Sequence, residues 1–202
     1  MGSARPLTNQ TRHVPDGTEQ PSDAITLIVG ELRAVLGRLD AGELDRLADA
    51  LTDADRVFVH GSGRSGIALR MTAMRLMHLG LTVHVVGETT TPAIGAGDVL
   101  LVASGSGTTA GIVAAARSAQ AAGSRVAVLT TAADSTLGAL ADAVVLVPAA
   151  AKLDRSGTAS AQYAGSLFEQ AVALVGDAVF HTLWRRSGQT ADDLWPRHAN
   201  LE

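Results

Sequence analysis

The sequence predicts an α/β protein built on a five-stranded parallel sheet flanked by helices, a three-layer sandwich. Five short runs rich in Val, Leu and Ala are near-continuously apolar, as strands covered on both faces must be. Helical stretches separate most of them, and glycines stand where two of those stretches stop. Strand, helix, strand repeated in this way implies right-handed crossovers. The length, 202 residues, suits a single domain, expected over 22–202.

Residues 1–21 are polar, carry three prolines and show no periodicity, so they read as a disordered N-terminal tail. They contain no apolar h-region, so no secretory signal is expected. Ser22 is the expected cap of a first helix whose apolar stripe is Ile25, Ile28, Val29, Leu32, Val35, Leu36 and Leu39. Asp40 followed by Glu43 resembles a capping box opening a second helix with Leu44, Leu47 and Leu51 inside. The strands are expected at 57–60, 83–86, 99–103, 126–130 and 144–147. Helices follow at 65–79, ending at Gly80, and 109–122, ending at Gly123, with a short one at 137–141. A polar loop, 149–162, leads to a long helix over about 164–186 stopped by Gly188. A short helix near 191–195 and a tail close the chain.

Composition narrows the function. Hydrophobic residues make up 47% and charged residues 18%, a globular profile, and aromatics at 3% leave Ala, Val, Leu and Gly to form the core. The net charge of -4 gives no support to nucleic-acid binding. The absence of cysteine excludes disulfides, thiolate zinc sites and cysteine nucleophiles. No apolar run is long enough to span a membrane, and the expected location is cytoplasmic.

Ligands of open parallel sheets bind beyond the C-terminal ends of the strands. Two unusual loops belong there: Gly61-Ser62-Gly63-Arg64-Ser65-Gly66 after the first strand, and Ser104-Gly105-Ser106-Gly107-Thr108-Thr109 after the third. Each runs into a helix and combines permissive glycines, free N–H groups and hydroxyl donors, which suits a phosphate monoester. Ordinary turn and cap chemistry also uses these residue types, but explains two such loops in one sheet less well. The first loop matches the dinucleotide pattern G-x-G-x-x-G, with Glu88 near the position of a ribose-binding acid. A dinucleotide site leaves the second hydroxyl loop unexplained, and neither loop has the lysine of a nucleotide triphosphatase. No His-x-His, His-x-Glu or Glu-x-x-His pattern points to a metal, and no cofactor is expected. Arg64 is a candidate phosphate or sugar contact. His60 stands beside the first loop as a ligand contact or a packed strand-end residue, and His78, His84 and His181 read as packing or interface residues.

The two loops GSGRSG and SGSGTT resemble those of the sugar isomerase (SIS) family. The segments RMTAMRLMH at 70–78, TTTP at 89–92, QYAGSLFEQ at 162–170 and RHANLE at 197–202 are similar to its 6-phospho-3-hexuloisomerase branch. The resemblance covers about 25–202. It implies a single SIS domain of flavodoxin-like architecture that converts D-arabino-hex-3-ulose 6-phosphate to D-fructose 6-phosphate. It places the sugar phosphate on Ser62, Gly63, Arg64, Ser65, Ser104, Ser106, Thr108 and Thr109. It makes Glu169 the proton-transfer base and His198, by position, a second catalytic group often supplied by a neighbouring subunit. It further implies a homotetramer with active sites between subunits. The expected partner in the ribulose monophosphate route of formaldehyde fixation is 3-hexulose-6-phosphate synthase. The lysine Schiff base of related glucosamine-phosphate enzymes is not expected, because no lysine follows Lys152. Other aldose–ketose phosphate isomerases, a non-catalytic sugar-phosphate binder and a nicotinamide dehydrogenase remain the alternatives.

Overall fold

Alternate residues of the three central strands enter two different cores, and this divides the molecule into layers. In the computed structural model, which describes residues 20–154 and 156–201, the strands are β1 (Val57–Gly61), β2 (Val83–Val85), β3 (Val99–Ala103), β4 (Arg125–Thr130) and β5 (Ala143–Leu146). All pair in parallel, in the order β2-β1-β3-β4-β5. Val57, Val59, Leu101, Ala127 and Leu129 face one core, with helices α1 (Pro21–Leu36), α2 (Ala41–Thr52), α3 (Gly63–Leu79) and α6 (Ser166–Ser187). Phe58, Leu100, Val102, Val126 and Val128 face the other, with α4 (Ala110–Ala121) and α5 (Thr136–Leu140). A short α7 (Ala191–Leu194) and a 3₁₀ turn (Trp195–Arg197) follow. The two-sided burial explains why the strands read as unbroken apolar runs.

The expected elements are all present, with shifted ends. The first helix starts one residue before Ser22: Gln20 is the cap, Pro21 takes the first helical position that its fixed φ favours, and Asp23 accepts from the Gln20 N–H at 3.2 Å. The described part of the expected tail is thus Gln20 and Pro21, and 1–19 lie outside the described residues. Asp40 does cap α2, accepting from Glu43 N at 2.8 Å, but the Glu43 carboxylate does not close the box. It accepts instead from Leu146 N, at 2.8 Å, on the edge strand β5. The strands β4 and β5 each begin one residue earlier than the runs suggest, and β2 and β5 each end one residue sooner. Gly80 and Gly188 stop α3 and α6 in the left-handed conformation, with φ of 104° and 69°.

The sheet order reverses between β1 and β3, since β1 leads through α3 to one edge and β3 through α4 towards the other. A crevice therefore opens at their C-terminal ends. The helices α3 and α6 pack closely, and a Cβ at Gly176 of α6 would run into Thr72 Oγ1 of α3. The starts of both helices reach the crevice.

Candidate active site

The first loop is shaped by a close approach between the end of β1 and the start of α3. A Cβ at Gly61 would lie 2.9 Å from Gly66 N and Cα, and one at Gly66 would collide with the Gly61 carbonyl. Two of the glycines are therefore explained by strand–helix packing. Gly63, at φ 58°, opens onto free space instead. The second loop is pinned through Gly105, whose carbonyl accepts from Thr131 N (3.0 Å), Thr131 Oγ1 (2.8 Å) and Thr130 Oγ1 (3.1 Å). Ser104 Oγ and Thr109 Oγ1 share a hydrogen bond of 3.0 Å.

The loops meet in a cleft of about 320 Å³ lined by Ser62, Gly63, Arg64, Ser65, Ser104, Ser106 and Thr109, and by Phe168 and Glu169 from the first turn of α6. Thr108 does not line it; it is exposed, and its hydroxyl donates to Ser106 Oγ at 3.1 Å. The helices α3, α4 and α6 start here, and none has a side-chain cap: Ser62 and Thr109 leave first-turn N–H groups to a ligand, while the first N–H of α6, that of Ser166, donates to Tyr163 O at 3.2 Å. By contrast α2, α5 and α7, which do not line the cleft, are capped by Asp40, Ser135 and Thr190. Three uncapped helix starts around one space favour an anion. The sequence indicates the free N–H groups at the starts of α3 and α4, but not the third start, that of α6, at the same cleft.

Glu169 stands at the cleft, 20% exposed, with Oε2 held by Arg64 Nε at 2.5 Å. Arg64 thus faces the carboxylate. Lys152, which sequence reasoning did not single out, also lines the cleft, from the loop after β5. That loop is tied to α1: Glu31 accepts from Ser160 Oγ (2.7 Å), Ala161 N (2.7 Å) and Gln162 Nε2 (3.0 Å). Burial alone would raise the Glu31 carboxyl, but these bonds outweigh it and hold it below the usual range.

His198 is not in the cleft of its own chain. Its ring stacks between His78 (5.0 Å) and Trp195 (5.1 Å), beside the far end of α3 from Ser65. His78 is buried, and burial, then the charges of His198 and Arg75, push it below the ordinary imidazole value. His60 does not line the cleft, and burial lowers it as well. Among the described residues no group of three or more His, Asp or Glu is placed to hold a metal ion. A carboxylate beside hydroxyl-rich loops at a sheet reversal suits proton transfer on a bound anionic substrate.

The chain belongs to the SIS-domain family, whose pattern matches residues 50–174. It is 55% identical over 178 residues to the 3-hexulose-6-phosphate isomerase of Mycobacterium gastri, covering 88% of this chain and 89% of that one. It is 36% identical over 182 residues to the enzyme of the same name from Bacillus subtilis, covering 90% and 98%. A solved structure from Methanococcus jannaschii, from which a 3-hexulose-6-phosphate isomerase function was inferred for that protein, superimposes with a TM-score of 0.76. It shares 27% identity and covers 89% of this chain and 99% of its own.

Proposed function

We propose that this chain isomerises D-arabino-hex-3-ulose 6-phosphate to D-fructose 6-phosphate, the step that follows 3-hexulose-6-phosphate synthase in the ribulose monophosphate route of formaldehyde fixation. The observation that carries the reading is the Glu169 carboxylate at a cleft lined by Ser65, Ser104, Ser106 and Thr109, where three uncapped helices begin. The names of the two relatives support the choice of sugar. The phosphate sits among the hydroxyls and first-turn N–H groups of the two loops. The carbonyl moves one carbon, so Glu169 removes the C2 proton and returns it at C3 through an enediolate. A five-membered ring from a C3 ketone would use the C6 oxygen, which carries the phosphate, so the 3-ketose reaches the site largely open.

The working form is a cytoplasmic homotetramer with His198 acting in a neighbour's cleft. Its support is His198's distance from its own cleft and an exposed apolar stripe on α3: Ile67 (61% exposed), Met71 and Met74. Ile25 and Val29 on α1 add a second exposed apolar surface. Among the described residues no helix is long and apolar enough to cross a membrane. The test couples the purified chain to the synthase and measures fructose 6-phosphate. Formation of fructose 6-phosphate supports the reading; a chain that binds sugar phosphate but forms none overturns it.

A further inference from the structure

Lys152 is the one lysine in the sequence, and the fold brings it to the cleft. The cations lining that cleft are Arg64 and Lys152. Arg64 is engaged by Glu169, so that pair brings no net charge to a ligand. The two hydroxyl loops offer neutral donors. Lys152 has no hydrogen-bond or ion-pair partner among the described residues, which leaves its ammonium as the uncompensated charge of the site. It lies on the carboxylate's side: a Cβ at Gly165 would stand 3.9 Å from both Lys152 Cβ and Glu169 Oε1. The bare glycine between them leaves the four-carbon stem room to turn towards the space Glu169 faces.

We propose that Lys152 is a catalytic residue that stabilises the enediolate oxygen, an inference that rests on the isomerase reading above. As Glu169 takes the C2 proton, the C2–H electron pair becomes the C2=C3 double bond, and the C3 carbonyl pair moves onto O3. The Lys152 ammonium meets that oxyanion, as a donor aimed at developing charge does in acyl-transfer sites. A proton then passes from O2 to O3, the C2 carbonyl forms, and Glu169 returns its proton to C3. Nothing is oxidised overall, and Lys152 stays protonated and forms no covalent bond.

The composition supplies an unusually clean test. Because the chain contains no cysteine, Lys152→Cys introduces a single thiol, and bromoethylamine converts it to an aminoethyl side chain of lysine's length. Lys152→Met and unmodified Lys152→Cys are expected to lose about 10²–10³ in kcat, the usual effect of removing one oxyanion donor. KM and fructose 6-phosphate affinity should change far less, and aminoethylation should restore turnover. Unchanged kcat, or a loss confined to KM, would overturn the role and leave Lys152 a bystander or a phosphate contact. Loss of kcat that aminoethylation fails to recover would also overturn it, because it would trace the defect to the loop rather than to the charge. If the unsubstituted chain forms no fructose 6-phosphate at all, the isomerase reading falls and takes this role with it.

Discussion

Arg64 Nε donates to Glu169 Oε2 at 2.5 Å, joining the first turn of α3 to the first turn of α6 across the cleft. The guanidinium fixes one carboxylate oxygen, and the other, Oε1, stands beside Gly165. A proposed base held this way can be oriented without losing its ability to accept a proton.

Glu169→Gln should lower kcat by about 10²–10⁴, because the amide cannot accept the C2 proton, while sugar-phosphate affinity and Tm change little. Arg64→Ala should lower kcat less, and Arg64→Lys should restore it only partly, since an ammonium lacks the planar fork. Steady-state kinetics and thermal melts on the same preparations check both; near-normal turnover of Glu169→Gln would remove the base assignment.

Glu169→Gln and His198→Ala chains, each impaired alone, should recover activity when co-expressed as mixed oligomers. Recovery follows if the two residues of one site come from different chains, as the position of His198 beside His78 and Trp195 suggests. Mixed oligomers as inactive as the parents would place both roles within one chain.

Glu31→Gln should raise KM and lower kcat together while leaving the melting of the sheet core nearly intact. Its carboxylate holds Ser160, Ala161 and Gln162, and with them the loop that carries Lys152. Hydrogen exchange over 150–162 should speed up in the variant; unchanged exchange there would show that the anchor is dispensable.

Gly176→Ala should destabilise the protein. The helix gains about 1 kcal/mol from losing glycine, but the new methyl meets Thr72 Cβ at 3.0 Å and Cγ2 at 3.1 Å, so no rotation of the hydroxyl relieves it. Overpacking of this kind costs about 1–3 kcal/mol, so the net loss should reach up to about 2 kcal/mol. Adding Thr72→Ala should recover most of it in a denaturant titration.

Stability should fall on acidification in two stages. His60 and His78 are held below the ordinary imidazole value, so the unfolded chain takes up protons first as pH drops through about 6.5. Asp98 is 1% exposed; burial raises it, but the bonds from Arg56 (2.6 and 2.9 Å) and Gly95 N (2.7 Å) prevail and hold it low. Together with Glu31 it adds a second loss below about pH 4, where unfolded carboxylates protonate before these do. Tm measured against pH should show both limbs, and Asp98→Asn should lower Tm at neutral pH and flatten the lower one.

The sheet, its two-sided burial and the positions of the two hydroxyl-rich loops were legible because each rests on local signals: apolar runs, Asp40 before α2, Gly80 and Gly188 after α3 and α6. The misplaced first cap arose because Pro21 competes with Ser22 for the helix start, and proline's fixed φ wins. Glu43 was read as half of a local box, whereas an edge-strand N–H 103 residues away claims its carboxylate. Lys152 escaped notice because nothing near it in sequence marks it; the Glu31 anchor and the Gly165 gap that expose it to the cleft come from distant segments. His198 was assigned by its place in a motif, and only the ring stack with His78 shows that it lies apart from Glu169 in one chain.

The contact between Gly176 and Thr72 joins α3 and α6 into one stiff piece, with the phosphate loop at the head of one helix and Glu169 at the head of the other. With the proposed phosphate site and base in these places, that piece would work as a ruler laid against the substrate. On the proposed reaction, one end of the sugar would be clamped and the carboxylate would reach whichever carbons lie a fixed span away, so chain length would be measured from the phosphate rather than from the carbonyl. Shifting one helix along the other by even a fraction of a turn would recalibrate which carbons exchange their proton, without altering a single group that touches the sugar.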